Sequence, residues 1–290
     1  MRPQFLVVGH AVQDFTSEGD SPSWQLGGAA SFASVLARNL GLRAAVLTSA
    51  APDLPLDKLL VGIEIRVVPS RRTTQMRNVY SEGPRSQFVP QRAAPLAVEH
   101  VPADWRQMSI VFLGPVIGEV DESLARLFHG SLLGIGAQGW LRRVGRDGRV
   151  RPIMPADFHA QGMLRYARAL FLSDEDIPLG EAPPALTYWS DLVQIVAFTR
   201  GDGGADVCVR GNWRHIEAFP ARVVDPTGAG DVFAAAFLIR LWESGDVWKA
   251  TRFAACAASF AVEGAGTTTI PNREQIEARL KEYPEIRAVG

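Results

Sequence analysis

Lysine is nearly absent from this chain. Of 30 basic residues only Lys58, Lys249 and Lys281 are lysines, and none lies in a glycine-rich turn. That excludes a phosphate site resting on a P-loop lysine. Cysteine is equally scarce: Cys208 and Cys256 form no CxxC pair, and the five histidines are scattered. A disulfide framework and a structural zinc site are therefore excluded, and two buried thiols in a reducing cytosol are expected. Long hydrophobic runs are missing too. The longest, 232–239 and 253–262, fall well short of the ~20 residues that span a bilayer. Near the start, Arg2 is followed only by the short apolar run 5–8 and soon by Asp14, which is no signal peptide. A cytoplasmic location and no membrane partner are expected. Nor does either sign of charge dominate. With 30 basic and 31 acidic residues the net charge is -1, which gives no footprint for nucleic acid.

What is present is enough apolar material, 47% of 290 residues, for one large α/β domain. The run Phe5-Leu6-Val7-Val8, ending at Gly9, reads as a strand buried on both faces. Gly27-Gly28 opens an Ala-rich helix over 29–40, closed by Gly41, and 44–47 reads as the next strand. Further strands are predicted at 110–113, 170–172, 195–199 and 205–209. Further helices are predicted at 122–128, 228–243, 247–262 and 272–282, with Pro183-Pro184 as a loop before a helix. This alternation predicts a mostly parallel sheet with helices on both faces, in a single domain over 1–290. Two segments, about 11–26 and 70–92, do not fit it. The second carries a hairpin signal, with 73–80 and 86–89 flanking Gly83-Pro84. Both are expected to form a small β-subdomain over the main sheet. Its edges could pair, so the chain is expected to be a monomer or a homodimer.

The chemistry concentrates in Asp225-Pro226-Thr227-Gly228-Ala229-Gly230-Asp231, followed by an apolar helix. A Gly-Ala-Gly turn at a helix start leaves backbone N–H groups unpaired and uncrowded, and the helix dipole favours an anion above them. Asp231 in that turn would repel a phosphate unless it accepts a proton from an attacking hydroxyl. The plain alternative is an Asp that merely serves the dipole. A short Gly-rich turn alone would favour it; the full seven-residue string does not.

That string resembles the D-[TP]-T-G-A-G-D signature of the ribokinase-like, or PfkB, carbohydrate kinases. Gly27-Gly28 resembles their N-terminal di-glycine motif, and Asp14 their substrate-binding Asp. Thr199-Arg200-Gly201-Asp202-Gly203-Gly204 resembles their T-x-G-x-x-G nucleotide loop, and 264–271 the turn closing their adenine pocket. The resemblance thus runs over nearly the whole chain, with motif order and spacing preserved. It implies ATP and Mg²⁺ as cofactors, admits a monovalent cation, and implies a small sugar or polyol as acceptor. By the same resemblance Asp231 is the catalytic base, and the amides of Gly228, Ala229 and Gly230 form an anion hole. Asp14, Gly27, Gly28, Ser31, Gln75, Asn78 and Gln138 are implied to bind substrate, with Arg77, Arg85 and Gln87 as further polar groups of the β-subdomain. Thr199, Gly201, Gly204, Thr227, Ala255 and Gly264 are implied to bind nucleotide. The dipole at the helix start is expected to keep Asp231 ionised.

Two departures stand out. Where the family often has N-x-x-E, this chain has Ser173-Asp174-Glu175-Asp176. Asp176 is expected to organise Mg²⁺ through water, the alternative being an acidic turn that caps the next element. Ser31 stands where ribose kinases carry Asn. Together with Gln138-Gly139-Trp140-Leu141-Arg142 and Thr73-Thr74-Gln75, this looks more like the myo-inositol kinase branch. Two readings compete with a kinase. A match to G-x-G-x-x-G at Gly134, Gly136 and Gly139 suggests an oxidoreductase, but no long helix follows it. A non-catalytic sugar or nucleotide sensor would have no use for Asp231.

Overall fold

In the first strand, β1 (Phe5–Val8), alternate residues go to opposite cores: Phe5 and Val7 to one, Leu6 and Val8 to the other. A strand covered on both faces must read as an unbroken apolar run, as this one does. The computed structural model describes residues 4–16, 23–79, 86–178 and 180–290. Asp20, Tyr80, the Gly83-Pro84 turn and Arg85 lie outside the described residues.

After β1 come β2 (Val12–Thr16), β3 (Trp24–Gly27), α1 (Ala29–Asn39), β4 (Ala44–Ala50), α2 (Leu56–Leu59), β5 (Glu64–Pro69), β6 (Thr74–Val79) and β7 (Ser86–Gln91). Then follow β8 (Ile110–Leu113), α3 (Ser123–Leu127), β9 (Leu132–Gly136), β10 (Arg142–Val144), β11 (Val150–Pro152), β12 (Ala169–Ser173) and α4 (Ala182–Leu192). The chain closes with β13 (Ile195–Thr199), β14 (Ala205–Val209), β15 (Asn212–Ile216), α5 (Ala229–Ser244), α6 (Val247–Ala261) and α7 (Arg273–Glu282).

Nine strands form one sheet in the order β15-β14-β13-β12-β9-β8-β1-β4-β5. The seven from β13 to β5 are parallel; β14 and β15 add antiparallel at one edge. One face packs against α1, α5 and α6, the other against α3 and α4. The central helix is α5, whose residues from Val232 to Ile239 are all buried. A helix apolar all round has no solvent face to offer, and α1 and α6 cover it. Gly134 on β9 admits α5: a Cβ there would lie 2.6 Å from Leu238 Cδ1. The G-x-G-x-x-G match is thus split between a packing glycine in a strand and a 3₁₀ turn over Gln138–Leu141.

The structure adds elements that the sequence pattern hid. β5, β9 and β15 were not expected, nor was the β10–β11 hairpin. Pro183-Pro184 is not a loop but the first turn of α4, where a missing N–H costs nothing.

A second sheet, in the order β3-β2-β6-β7, stands over the carboxyl ends of the parallel strands. It shares a small core of Val12, Met76, Val89, Val116 and Ile117 with the β10–β11 hairpin. The chain passes between the two sheets four times, and all four passages meet at His10, which is fully buried. His10 follows β1. Its Nε2 faces the Ala94 carbonyl at 2.9 Å and so carries the hydrogen that it donates there. Its Nδ1 lies 2.7 Å from Thr74 Oγ1, at the start of β6, and that hydroxyl also accepts the Ala93 N–H at 2.9 Å. The Gly28 Cα sits against the His10 carbonyl, which a Cβ would approach to 2.4 Å. Beneath the ring, buried Glu119 accepts N–H bonds from His10, Val116 and Ile117 at 2.8–3.0 Å. Burial pushes its carboxyl up, but the facing His10 and these N–H groups outweigh that and leave it lowered.

Candidate active site

A cleft of about 240 Å³ opens between the two sheets, at the carboxyl ends of the parallel strands. That is where ligands bind in open α/β sheets. Its floor is the turn from Pro226 into α5. Asp225 Oδ1 accepts the Thr227 N–H at 2.9 Å and bends the chain into the helix. Gly228 follows at φ 82°, a left-handed conformation, and a Cβ there would strike the Phe32 ring at 2.4 Å. The signature glycine is therefore forced twice, by conformation and by contact. Gly230 faces open space. Among the described residues the N–H groups of Gly228 and Gly230 have no acceptor, whereas that of Ala229 donates to Pro226 O at 3.3 Å. The anion hole expected from three amides thus has two uncommitted ones.

Asp231 lies in the first turn of α5 and borders the cleft. The expectation that the helix dipole keeps it ionised is corrected. Burial pushes its carboxyl up to about 7, the charges of Asp176 and Asp14 add to the rise, and Arg142 opposes it. Burial, with like charges added to it, outweighs one helix end. A carboxyl titrating near neutrality suits a general base.

Asp14, on β2, borders the cleft from the upper sheet. Gly27 carries no side chain because that carboxylate occupies the space: a Cβ would lie 1.8 Å from Asp14 Oδ2. Gly28, Asn78 and Gln138 also border the cleft, as does Gln87, whose Nε2 donates to Asn78 Oδ1 at 2.9 Å. Four residues implied to hold substrate do not border it: Gly27, Ser31, Gln75 and Arg77. Gln75 and Arg77 sit one position off Met76 and Asn78 on β6, and strand alternation turns them to the other face. Gln75 there donates to Gln13 Oε1 at 3.1 Å. Ser31 is fully buried in α1 and spends its hydroxyl on Gly27 O at 2.8 Å. It holds the di-glycine turn instead.

On the donor side Thr199, Gly201 and Thr227 border the cleft; Gly204, Ala255 and Gly264 do not. Gly204 packs against the backbone of β15, 2.1 Å from where its Cβ would meet Ile216 O. Asp176 borders the cleft and is 3% exposed. Its Oδ2 accepts from Ser173 N and Oγ at 2.9 and 3.0 Å, so it does cap the acidic turn. Its Oδ1 is buried with no hydrogen-bond partner among the described residues. Arg142 Nη2 stands 3.7 Å from that oxygen. Both acidic-turn readings are compatible with one residue, since each uses a different oxygen. Arg142 borders the same cleft and is a residue that sequence reasoning passed over. It lies in the string 138–142, but nothing local told an arginine turned inward from the 26 others of this Arg-rich chain.

Comparison with known proteins places matches across the chain. Residues 179–274 match the model of the pfkB family of carbohydrate kinases. Bacillus subtilis ribokinase is 46% identical over 66 residues, 22% of each chain. An inositol 3-kinase of Zea mays is 29% identical over 254 residues, 80% of this chain and 65% of that protein. The chain therefore aligns with less than two thirds of either relative. Among solved structures, one from the conversion of a pyrophosphate-dependent myo-inositol-1 kinase into a myo-inositol-3 kinase by mutation superposes with a TM-score of 0.80 over 96% of this chain and 99% of that one, at 21% identity.

Proposed function

We propose, from the premise that this chain carries a pfkB-family carbohydrate kinase domain, that it transfers a phosphoryl group from ATP to a hydroxyl of a small uncharged polyol. The acceptor we favour is a cyclitol such as myo-inositol. One observation carries the reading. Asp231 and the uncommitted Gly228 and Gly230 amides share a cleft with neutral hydrogen-bonding side chains, Asn78, Gln87 and Gln138. The first group suits a phosphoryl group and the proton it displaces; the second suits hydroxyls. The polyol class is supported by these neutral amide side chains, which can both donate to and accept from hydroxyls. The cyclitol is supported by the string 138–142, whose Gln138 borders the cleft, and by the inositol-kinase relatives.

In this mechanism the acceptor hydroxyl gives its proton to Asp231 as its oxygen bonds to phosphorus. The Gly228 and Gly230 N–H groups and the start of α5 stabilise the charge on the transferring group. The β3-β2-β6-β7 sheet acts as a lid that excludes water. Among the described residues no three His, Cys, Asp or Glu side chains are arranged to grip a metal. Mg²⁺ fits instead through water at the unpartnered Oδ1 of Asp176, where it would neutralise donor phosphate charge.

A second donor, inorganic pyrophosphate, is suggested by the pyrophosphate-dependent kinases of the ribokinase family among the structural neighbours. Assays of ADP release from MgATP and of phosphate release from Mg-pyrophosphate, over a panel of polyols, test both. The expected result is a cyclitol exceeding ribose, fructose and adenosine by tenfold or more in kcat/KM, about 1.4 kcal/mol of discrimination. Ribose or a nucleoside winning by that margin overturns the acceptor, and no transfer to any of them overturns the kinase.

A further inference from the structure

Five carboxylates border the cleft: Asp14, Asp174, Glu175, Asp176 and Asp231. Among the described residues a single cationic side chain borders it with them, that of Arg142. The three lysines of the chain lie elsewhere. Arg142 ends the turn Gln138–Leu141 and begins β10, so the guanidinium enters from the hairpin side. Its side chain is only 7% exposed. Its Nη2 is 3.7 Å from Asp176 Oδ1, an ion pair too long to be a hydrogen bond. Its charge also reaches Asp231, whose rise it opposes. Its charge thus acts on both the carboxylate proposed as base and the one proposed to organise the metal.

We propose that Arg142 is a catalytic cation that holds the equatorial oxygens of the transferring phosphoryl group, from the side of the cleft opposite Gly228 and Gly230. This rests on the kinase reading above. A phosphoryl group approaching Asp231 meets a carboxylate before it and another at Asp176. Two amides and one helix end face it from below. Without a cation on the other side, the group's charge grows against uncompensated acid. Arg142 supplies that cation, and its planar fork suits two oxygens at once. In the step itself the acceptor oxygen–phosphorus bond forms as the donor's bridging phosphorus–oxygen bond breaks. The bonding pair leaves on the donor's departing phosphate, the acceptor proton passes to Asp231, and Arg142 keeps its own protons throughout.

The test compares wild type with R142A and R142K in steady-state transfer from MgATP, or from Mg-pyrophosphate if that is the donor used. Thermal melts of all three are recorded alongside. R142A should lose roughly 10³–10⁵-fold in kcat, the range of an arginine finger, while KM for donor and acceptor moves only a few-fold. Guanidinium ion, added far below denaturing concentrations, should restore part of the lost rate, and methylammonium should not. The acid limb of the pH–rate profile should move to higher pH in R142A, because a positive charge that favours ionised Asp231 is gone. A residue that only braces the hairpin would give neither the kcat loss at unchanged KM nor the rescue by guanidinium. If R142A fails to fold, R142K decides: it keeps the charge but not the fork, and should lose roughly tenfold or more in kcat. An R142A or folded R142K enzyme within a few-fold of wild-type kcat overturns the proposal. So does a loss confined to the acceptor KM, which would make Arg142 a binding residue. A wild type that transfers no phosphoryl group from either donor to any polyol overturns the kinase reading, and this proposal falls with it. An active wild type matched by an equally active R142A overturns the proposal alone.

Discussion

The two ends of the cleft are built in opposite ways. The donor end is built around one unbroken string, Pro226 to Asp231, laid over the start of α5, with Thr199 and Gly201 beside it. The acceptor end takes Asp14 from β2, Met76 and Asn78 from β6, Gln87 from β7, Val116 from a loop and Gln138 from a turn. The first is a backbone shape, fixed by glycines and a helix start. The second is a constellation of side chains whose membership depends on register. A slip of one residue along β6 would exchange Asn78 for Arg77 and put a charge where a neutral amide now sits. A string can carry the first kind of site by itself; the second exists only after tertiary folding.

The sharpest test of the contrast is at the donor end. Asp231→Asn keeps the shape but cannot take the proton, so kcat should fall about 10²–10⁴-fold. Donor and acceptor binding by calorimetry should change little. A mutant turning over within a few-fold of wild type would mean that Asp231 is not the base. The same residue predicts the pH dependence. With its carboxyl near 7, the wild-type rate should rise with pH through about 7 and level off above it. Because the folded value is raised, protonated Asp231 contributes stability at acid pH that is lost as pH rises through about 7. Asp231→Asn should therefore gain in melting temperature over wild type at pH 8 and not at pH 4.

At the acceptor end the loss should appear in KM instead. Asn78→Ala removes one of the neutral groups and leaves Gln87 Nε2 without its acceptor. The acceptor KM should rise roughly 5- to 150-fold, from the ~1–3 kcal/mol of a lost buried partner. Equal effects on kcat and KM at this site would dissolve the division between the two ends. Asp176→Ala should shift the Mg²⁺ concentration for half-maximal rate upward; an unchanged titration would reduce Asp176 to a cap. The smallest effects are expected at Gln75→Ala and Ser31→Ala. Neither side chain reaches the cleft, so acceptor KM should stay within a few-fold. Ser31→Ala should cost about 0.5–1.5 kcal/mol in denaturant unfolding, from the lost bond to Gly27 O.

The parallel sheet was legible where strands are continuous apolar runs, as at Phe5–Val8 and Ile110–Leu113. It was not where the run is broken: β9 reads Leu-Leu-Gly-Ile-Gly, and its glycines, needed for close helix packing, look like a loop. β5 alternates exposed and half-buried residues at the sheet edge and so lacks the central-strand signal. At the site, the di-glycine and Gly228 were legible because backbone constraints are local. Ser31 misled because a polar residue at the right offset in a motif still points where its helix turns it. Arg142 was invisible because burial of a cation is decided by Asp176, 34 residues away in sequence, and by the hairpin that carries it inward.

The meeting of four chain passages at His10 has a consequence for timing. Connections between two bodies of a protein ordinarily fray independently, each with its own clock. Here a single imidazole and one threonine hydroxyl tie together the entries to β2 and β6 and the exit from β7, and Gly28 leans on the same residue. No strand of the small sheet can peel away without releasing the others, so its amides should exchange with solvent as one group, at one shared rate. Breaking the knot with His10→Ala should split that rate into several, before any change is seen in the exchange of β1 or β8.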